Sequence, residues 1–264
     1  MAKQPAHIDL IRLIIRKNHA WNIVVTPNLY LDILPQPDDT TCGPTCLHAV
    51  YRFYGDSISL SQIIDEVKSF ESGGTLAVFL ACHALKRGYH ATIFTYNLHM
   101  FDPTWFRADG PVPDISERIK QQALAKESDK MRTASQGYLN FFQLGGKLKF
   151  QDLTRSLLRK HLNRSIPILA GLSSTYLYRS VREIGLDNRE DDVRGEPVGH
   201  FVILCGYNPY EKEVLIADPL LPNPVAGEQY YAEKIDRVLG AILLGVLTHD
   251  ANFLIIRPKK REKI

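Results

Sequence analysis

A chain of 264 residues, 45% hydrophobic and 23% charged, has enough apolar material for a packed core and too little sequence bias for a collagen, a coiled coil or a disordered chain. Its 32 Lys plus Arg against 29 Asp plus Glu leave a formal net charge of +3, too small to require nucleic acid or an anionic membrane as partner. The cysteines, at 42, 46, 82 and 205, form neither a dense disulfide framework nor a paired CxxC zinc pattern.

Ile8, Ile11, Leu13, Ile14 and Ile15 predict a short amphipathic helix, and Asp9, Arg12 and Arg16 interrupt it, so it lacks the apolar core of a secretory signal. No run elsewhere approaches the ~20 apolar residues of a membrane span, and the expectation is a soluble, cytoplasmic chain of a reducing compartment. An extended run, LYLDILPQ, leads to a turn at Pro37, Asp38 and Asp39. After Cys42 the Gly43-Pro44 pair opens a helix with Cys46, Leu47, Val50, Tyr51 and Tyr54 on one face, and Gly55 stops it. Ser59 or Ser61 can cap a helix in SLSQIIDEVKSF, and TLAVFLACHALKRGY reads as another ending near Gly88.

Residues 102 to 114, rich in Pro, Gly and aromatics, mark a loop, and DISERIKQQALAKESDKM reads as one polar helix of a surface insertion. From Lys147 the pattern becomes sheet-based: a short strand, the helix DLTRSLLRKHL, then IPILAGL, whose continuous apolar run suits a buried strand. The charged segment REIGLDNREDDVRGEPV, around Asp191 and Asp192, reads as a long mobile loop. HFVILCGYN and EVLIADP, separated by NPYEK, predict an antiparallel hairpin that brings His200 opposite Asp218. EQYYAEK, the helical IDRVLGAILLGVL and the strand NFLIIRP follow, and the KKREK tail reads as a solvated end.

Cys42 at a helix start faces unpaired N–H groups and the positive end of the macrodipole, which favour a nucleophilic thiolate. An imidazole within reach would pair with it, and a carboxylate on the far ring nitrogen would fix the tautomer. His200 and Asp218 suit those roles, and Gln36, six residues before Cys42 across a tight turn, could aim its amide at an oxyanion beside the Cys42 N–H. Bland roles compete at each position: a buried cysteine is usually inert, a histidine can simply end a strand, and an aspartate before proline is an ordinary turn residue. A Cys42/Cys46 metal pair is conceivable, but no further ligand has suitable spacing, so Cys46 is assigned to the core, as are Cys82 and Cys205. His48, His83 and His161 lie on helical stretches without a partner pattern and read as core or solvent residues.

Two blocks, QPDDTTCGPTCLHAVYRFYG and GHFVILCGYNPYEKEVLIADP, resemble the bacteriocin-processing, double-glycine-leader cysteine peptidases and their stand-alone relatives. The resemblance implies an α+β, papain-like cysteine peptidase fold, with a helical N-terminal part packed on an antiparallel C-terminal sheet and the cleft between. It implies Gln36 as oxyanion-hole residue, Cys42 as nucleophile, His200 as general base and acid, and Asp218 as its orienting carboxylate. The expected organisation is one domain over 1–264: a mainly helical lobe over 1–101, an insertion-like segment over 102–146 and a sheet-rich lobe over 147–264. The expected activity is peptide or amide hydrolysis through a thioester, with a peptide, protein or other amide substrate, no metal or organic cofactor, and neither nucleic acid nor membrane as partner. An acyltransferase or transglutaminase-like enzyme using the same triad, and a catalytically silent peptide-binding module, are the alternatives. Family members that mature exported peptides are often fused to transporters; with no membrane-length run here, cleavage after a Gly-Gly leader is not implied, and the polar helix and the 183–197 loop are departures that bear on specificity.

Overall fold

The computed structural model describes residues 29–70, 73–185, 189–248 and 250–259. The helix expected around Ile8 to Ile15 and nearly all of the KKREK tail lie outside the described residues.

Helix α1, Cys42–Phe53, buries Cys46, Leu47, Val50 and Tyr51 and ends where Gly55, at φ +79°, takes a conformation that residues with a Cβ resist. Ser59 caps α2, Leu60–Glu66, by accepting the Gln62 N–H. Helix α3, Ala77–Lys86, is apolar around almost its whole circumference and is buried accordingly. Strand β1, Tyr89–Thr95, follows, then the small ladder of β2, Phe106–Arg107, and β3, Gly110–Pro111.

The stretch expected to be one polar helix, 114–131, holds α4, Ile115–Ala125, and only the start of α5, Asp129–Gln143, which is restarted by a Ser128 cap on the Met131 N–H. Their polar composition describes the outer face; Ile119, Tyr138 and Phe141 on the inner face are buried beside α3. Strand β4, Lys147–Lys149, α6, Arg155–Leu162, and the wholly buried β5, Ile168–Ser173, come next, then the single-turn α7, Ser174–Tyr178. The segment expected as a mobile loop contains a short antiparallel pair, β6, Glu183–Ile184, with β7, Arg189–Glu190. The expected hairpin is β8, Gly199–Asn208, with β9, Glu213–Ala217, and the chain closes through β10, Tyr230–Lys234, α8, Ile235–Leu244, and β11, Asn252–Pro258.

Among the described residues one sheet of seven strands has the order β10-β9-β8-β5-β11-β1-β4, antiparallel except where β4 runs parallel to β1. Alternation along the central strands feeds two cores. Leu169, Phe201, Ile203 and Leu254 pack with α1, α3 and α5 on one face, while Ile168, Val202, Leu204 and Phe253 pack with α6 and α8 on the other. The fold is thus mixed, with a large, mostly antiparallel sheet between helices, and β1 shows that the N-terminal part also supplies a sheet strand.

Helix α1 lies against the sheet so closely that a Cβ on Gly43 would stand 2.6 Å from the Thr75 methyl carbon, 3.1 Å from the Phe201 ring and 3.2 Å from Leu80. Gly43→Ala should therefore lower unfolding free energy by about 1–3 kcal/mol, the range for overpacking a filled site, as measured by urea denaturation. Adding Thr75→Ser, which removes the nearest methyl and keeps the hydroxyl that donates to the Lys68 carbonyl, should recover part of that loss.

Candidate active site

Cys42 is the first residue of α1 and is 7% exposed. The preceding turn is tied by Asp38, whose carboxylate accepts from the Thr40 backbone N–H at 2.8 Å and the Thr40 hydroxyl at 2.7 Å. Those hydrogen bonds, with help from Thr41, hold the Asp38 carboxyl below its ordinary value against the opposing effect of partial burial. The Thr41 hydroxyl donates back to the Asp38 carbonyl, so no side chain caps α1 and its first-turn donors stay available.

His200 is the second residue of β8 and pairs with Leu172 of β5. Continuing the β8–β9 register one step beyond the Ile203–Ala217 pair places Asp218 level with Val202, on the same sheet face as His200, rather than squarely opposite the histidine. The side chains close the offset: His200 Nε2 and Asp218 Oδ1 are 2.9 Å apart. Nδ1 is the ring nitrogen left for the sulfur of Cys42, which lines the same cavity. Burial works against a charge on His200, but the charges of Asp218 and Cys42 and the hydrogen bond to Asp218 outweigh it and raise the ring to about 10.

Asp218 has no exposed surface, and its carboxylate is surrounded by donors. Besides His200, Oδ1 accepts the Leu220 N–H at 3.0 Å; Oδ2 accepts the Tyr178 hydroxyl at 2.7 Å, the Tyr231 hydroxyl at 2.9 Å and the Asn223 amide at 3.1 Å. Burial alone would raise this carboxyl, yet the His200 charge and the hydrogen bonds from His200, Tyr178 and Leu220 hold it below its ordinary value. Tyr178, Asn223 and Tyr231 were not singled out in the sequence. The Asn five residues after Asp218 and the tyrosine pair of EQYYAEK are weak signals; nothing local marks Tyr178, which the β5–α7 connection delivers.

Gln36 joins the two halves. Its backbone N–H donates to the Pro219 carbonyl at 2.9 Å, next to Asp218, and its side-chain amide donates to the Asp38 carbonyl at 3.0 Å, the acceptor also used by the Thr41 hydroxyl one residue before Cys42. Its Oε1 is buried without a partner among the described residues. Cys42 and His200 line one cavity of about 440 Å³, which takes Leu76 and Phe201 from one core and Leu172 from the other, so it sits where the two cores meet. The other cysteines are occupied in the interior: Cys46 donates to the Phe201 carbonyl, Cys82 to the Gly137 carbonyl and Cys205 to the Leu215 carbonyl, and burial raises all three thiols. Among the described residues no group of His, Cys, Asp and Glu has the arrangement of a metal site, and no helix is long and apolar enough to cross a membrane.

Residues 28–237 match the Peptidase_C39 like family, a stretch that contains Gln36, Cys42, His200 and Asp218. The chain belongs to that family and is a cysteine peptidase-like hydrolase. No curated protein matches it. Among solved structures, it is similar to the peptidase domain of Streptococcus ComA, a bifunctional ABC transporter involved in quorum sensing, at 15% identity and TM-score 0.43, over 87% of this chain and 100% of that one. It is similar to a double glycine motif protease from an AMS/PCAT transporter, solved with its leader peptide, at 14% identity and TM-score 0.42, over 90% and 100%. It is also similar to xylellain, a cysteine protease from Xylella fastidiosa, at 16% identity and TM-score 0.47, over 90% and 86%.

Asp218→Asn removes the charge that opposes burial at His200, so the ring should fall from about 10 toward or below the ordinary histidine value near ~6.5. Ring-nitrogen chemical shifts across a pH series measure it. The linked stability has a definite sign. His200, raised on folding, contributes fully below ~6.5 and loses that contribution as pH rises through about 10. Asp218, lowered on folding, contributes above its unfolded value of 3.8 and loses it as pH falls below.

Proposed function

We propose that the protein hydrolyses a peptide or other amide bond through a thioester on Cys42, with His200 as proton carrier, Asp218 as the carboxylate that orients it, and Gln36 with the Cys42 N–H as oxyanion donors. The observation that carries this reading is the placement of a raised imidazole between a thiol at an uncapped helix start and a carboxylate saturated with donors. The Cys42 sulfur attacks the carbonyl carbon, and negative charge on the carbonyl oxygen meets the Gln36 amide and the Cys42 N–H. The imidazolium of His200 gives its proton to the leaving nitrogen, the C–N bond breaks, and the acyl group remains on sulfur. Water then attacks the thioester while His200 takes its proton, and the thiolate leaves.

The Gln36 side chain has one N–H on Asp38, and its second N–H suits an oxyanion without disturbing the turn. We read the chain as one catalytic unit over 1–264, in which the 1–101 and 147–264 parts each bring residues to the cleft and the 102–146 segment braces α3. Family membership supports peptides, proteins or related amides as the substrate class.

The direct test is a covalent trap with a library of peptide electrophiles, followed by mass-spectrometric location of the label. Labelling is expected on Cys42 and not on Cys46, Cys82 or Cys205, and Cys42→Ala should abolish both labelling and hydrolysis. Full hydrolysis by Cys42→Ala would sink the mechanism. Gln36→Ala should lower kcat by about 10²–10³ while leaving Cys42 open to small alkylating agents, since removing one oxyanion donor has that effect.

A further inference from the structure

The wall of the Cys42 cavity carries a buried carboxyl that the mechanism leaves unused. Asp250, 6% exposed, precedes β11 and lines the same cavity as Cys42 and His200. Its placement is built from several sides. Oδ2 accepts the Ala77 N–H at the start of α3 at 2.8 Å, Oδ1 accepts the Asn252 amide, and the Asp250 N–H donates to the Gly245 carbonyl at 3.0 Å. Gly171 of β5 leaves room for it: a Cβ there would lie 2.8 Å from the Asp250 carbonyl oxygen and 3.0 Å from its carboxyl carbon.

Both donors on the carboxyl are neutral, and among the described residues no Lys or Arg is within ion-pair distance of it. An ionised carboxylate accepts at about four lone-pair positions, so capacity remains toward the cavity. Burial raises the group to about 7, against the hydrogen bonds from Asn252 and Ala77, and an incoming cation would hold it ionised. Asp39 and Glu196 add acidic groups to the same cavity, whose cations are Lys130 and the His200 imidazolium, the latter already matched by Asp218. Leu172, Phe201 and Leu247 offer apolar wall for an aliphatic stem. Asp250 lies outside the stretch, residues 28–237, matched to the family.

We propose that Asp250 determines specificity in this cleft by receiving the cationic side chain of a lysine or arginine residue of the substrate. The inference rests on the Cys42 mechanism above, and it places the cation next to the reacting carbonyl's binding groove with its stem on the apolar wall.

Peptide nitriles that vary one residue at a time, with lysine compared to norleucine and arginine to citrulline, isolate the charge. The rate of Cys42 labelling is the readout. At one position the cationic member should react about tenfold to a hundredfold faster, the range for a charged hydrogen bond. Asp250→Asn keeps an oxygen for the Ala77 N–H and loses the charge, so it should erase that preference, bringing the lysine rate to the norleucine rate and the arginine rate to the citrulline rate. Should this variant not fold, Asp39→Asn combined with Glu196→Gln, both at exposed positions, should retain the preference, leaving Asp250 as the carboxylate responsible. Equal rates for charged and neutral members overturn this inference alone, as does an Asp250→Asn protein that slows every peptide alike or a preference that disappears with Asp39 and Glu196. No labelling of Cys42 by any peptide overturns the nucleophile assignment and this inference with it.

Discussion

A carboxylate with no exposed surface has to be surrounded by donors, and Asp218 is the point at which this requirement organises the molecule. Its partners come from β8, from α7 after β5, from β10 and from the loop after β9, so separate parts of the chain have to arrive in register before the charge is satisfied. An unpaired buried charge costs several kcal/mol, enough to consume much of a domain's net stability. The strand order β10-β9-β8-β5 is the arrangement that brings these donors together, and the core of Val202, Leu204, Ile216 and Tyr231 packs around it. Apolar packing and polar satisfaction therefore select the same topology.

The other half of the cavity is set by a close approach. Gly43 lets the start of α1 descend onto Phe201, and the Cys46 sulfur one turn later donates to the Phe201 carbonyl. Phe201 is the neighbour of His200, so the contact that seats the helix also fixes the distance between the sulfur-bearing residue and the imidazole. Gln36 fastens the arrangement from the N-terminal side, with its backbone on Pro219 and its amide on the turn that starts α1. The residue proposed to hold the oxyanion is at the same time a brace between nucleophile and carboxylate.

Much of this was legible because short-range signals carried it. Gly43-Pro44 and Gly55 bound α1, Ser59 caps α2, and the apolar hairpin around NPYEK brings the strand of His200 beside the strand that ends at Asp218. What was not legible depends on long-range packing. The composition of residues 114 to 131 describes a solvated helix, whereas Ile119 is buried and the second helix runs on to Gln143, its Tyr138 and Phe141 committed to the core by where α3 happens to lie. Tyr178 reaches Asp218 across 40 positions of sequence, and Asp250 reaches Ala77 across 173, so no local window contains either contact. The β8–β9 bulge at Leu204 and Gly206 is equally hidden from a local reading: it moves Asp218 from the level of Ile203 to that of Val202, and so onto the sheet face of His200.

The donors on Asp218 also bear on where the proton resides in the proposed reaction. Burial and the Asp218 charge raise Tyr178 and Tyr231, so both phenols stay protonated and can only donate to the carboxylate. A carboxylate held below its ordinary value by such donors is a poor place for a proton, and His200 retains its own rather than passing it to Asp218. The proton is then available on the side of the ring that faces the sulfur, where a departing amine would need it. With Cys42 at 7% and His200 at 9% exposed, little water competes for that proton, and the electrostatic coupling between sulfur, ring and carboxylate acts in a medium less polar than bulk solvent. In the proposed chemistry Tyr178 and Tyr231, which do not themselves line the cavity, are positioning residues that hold the Asp218 charge against His200.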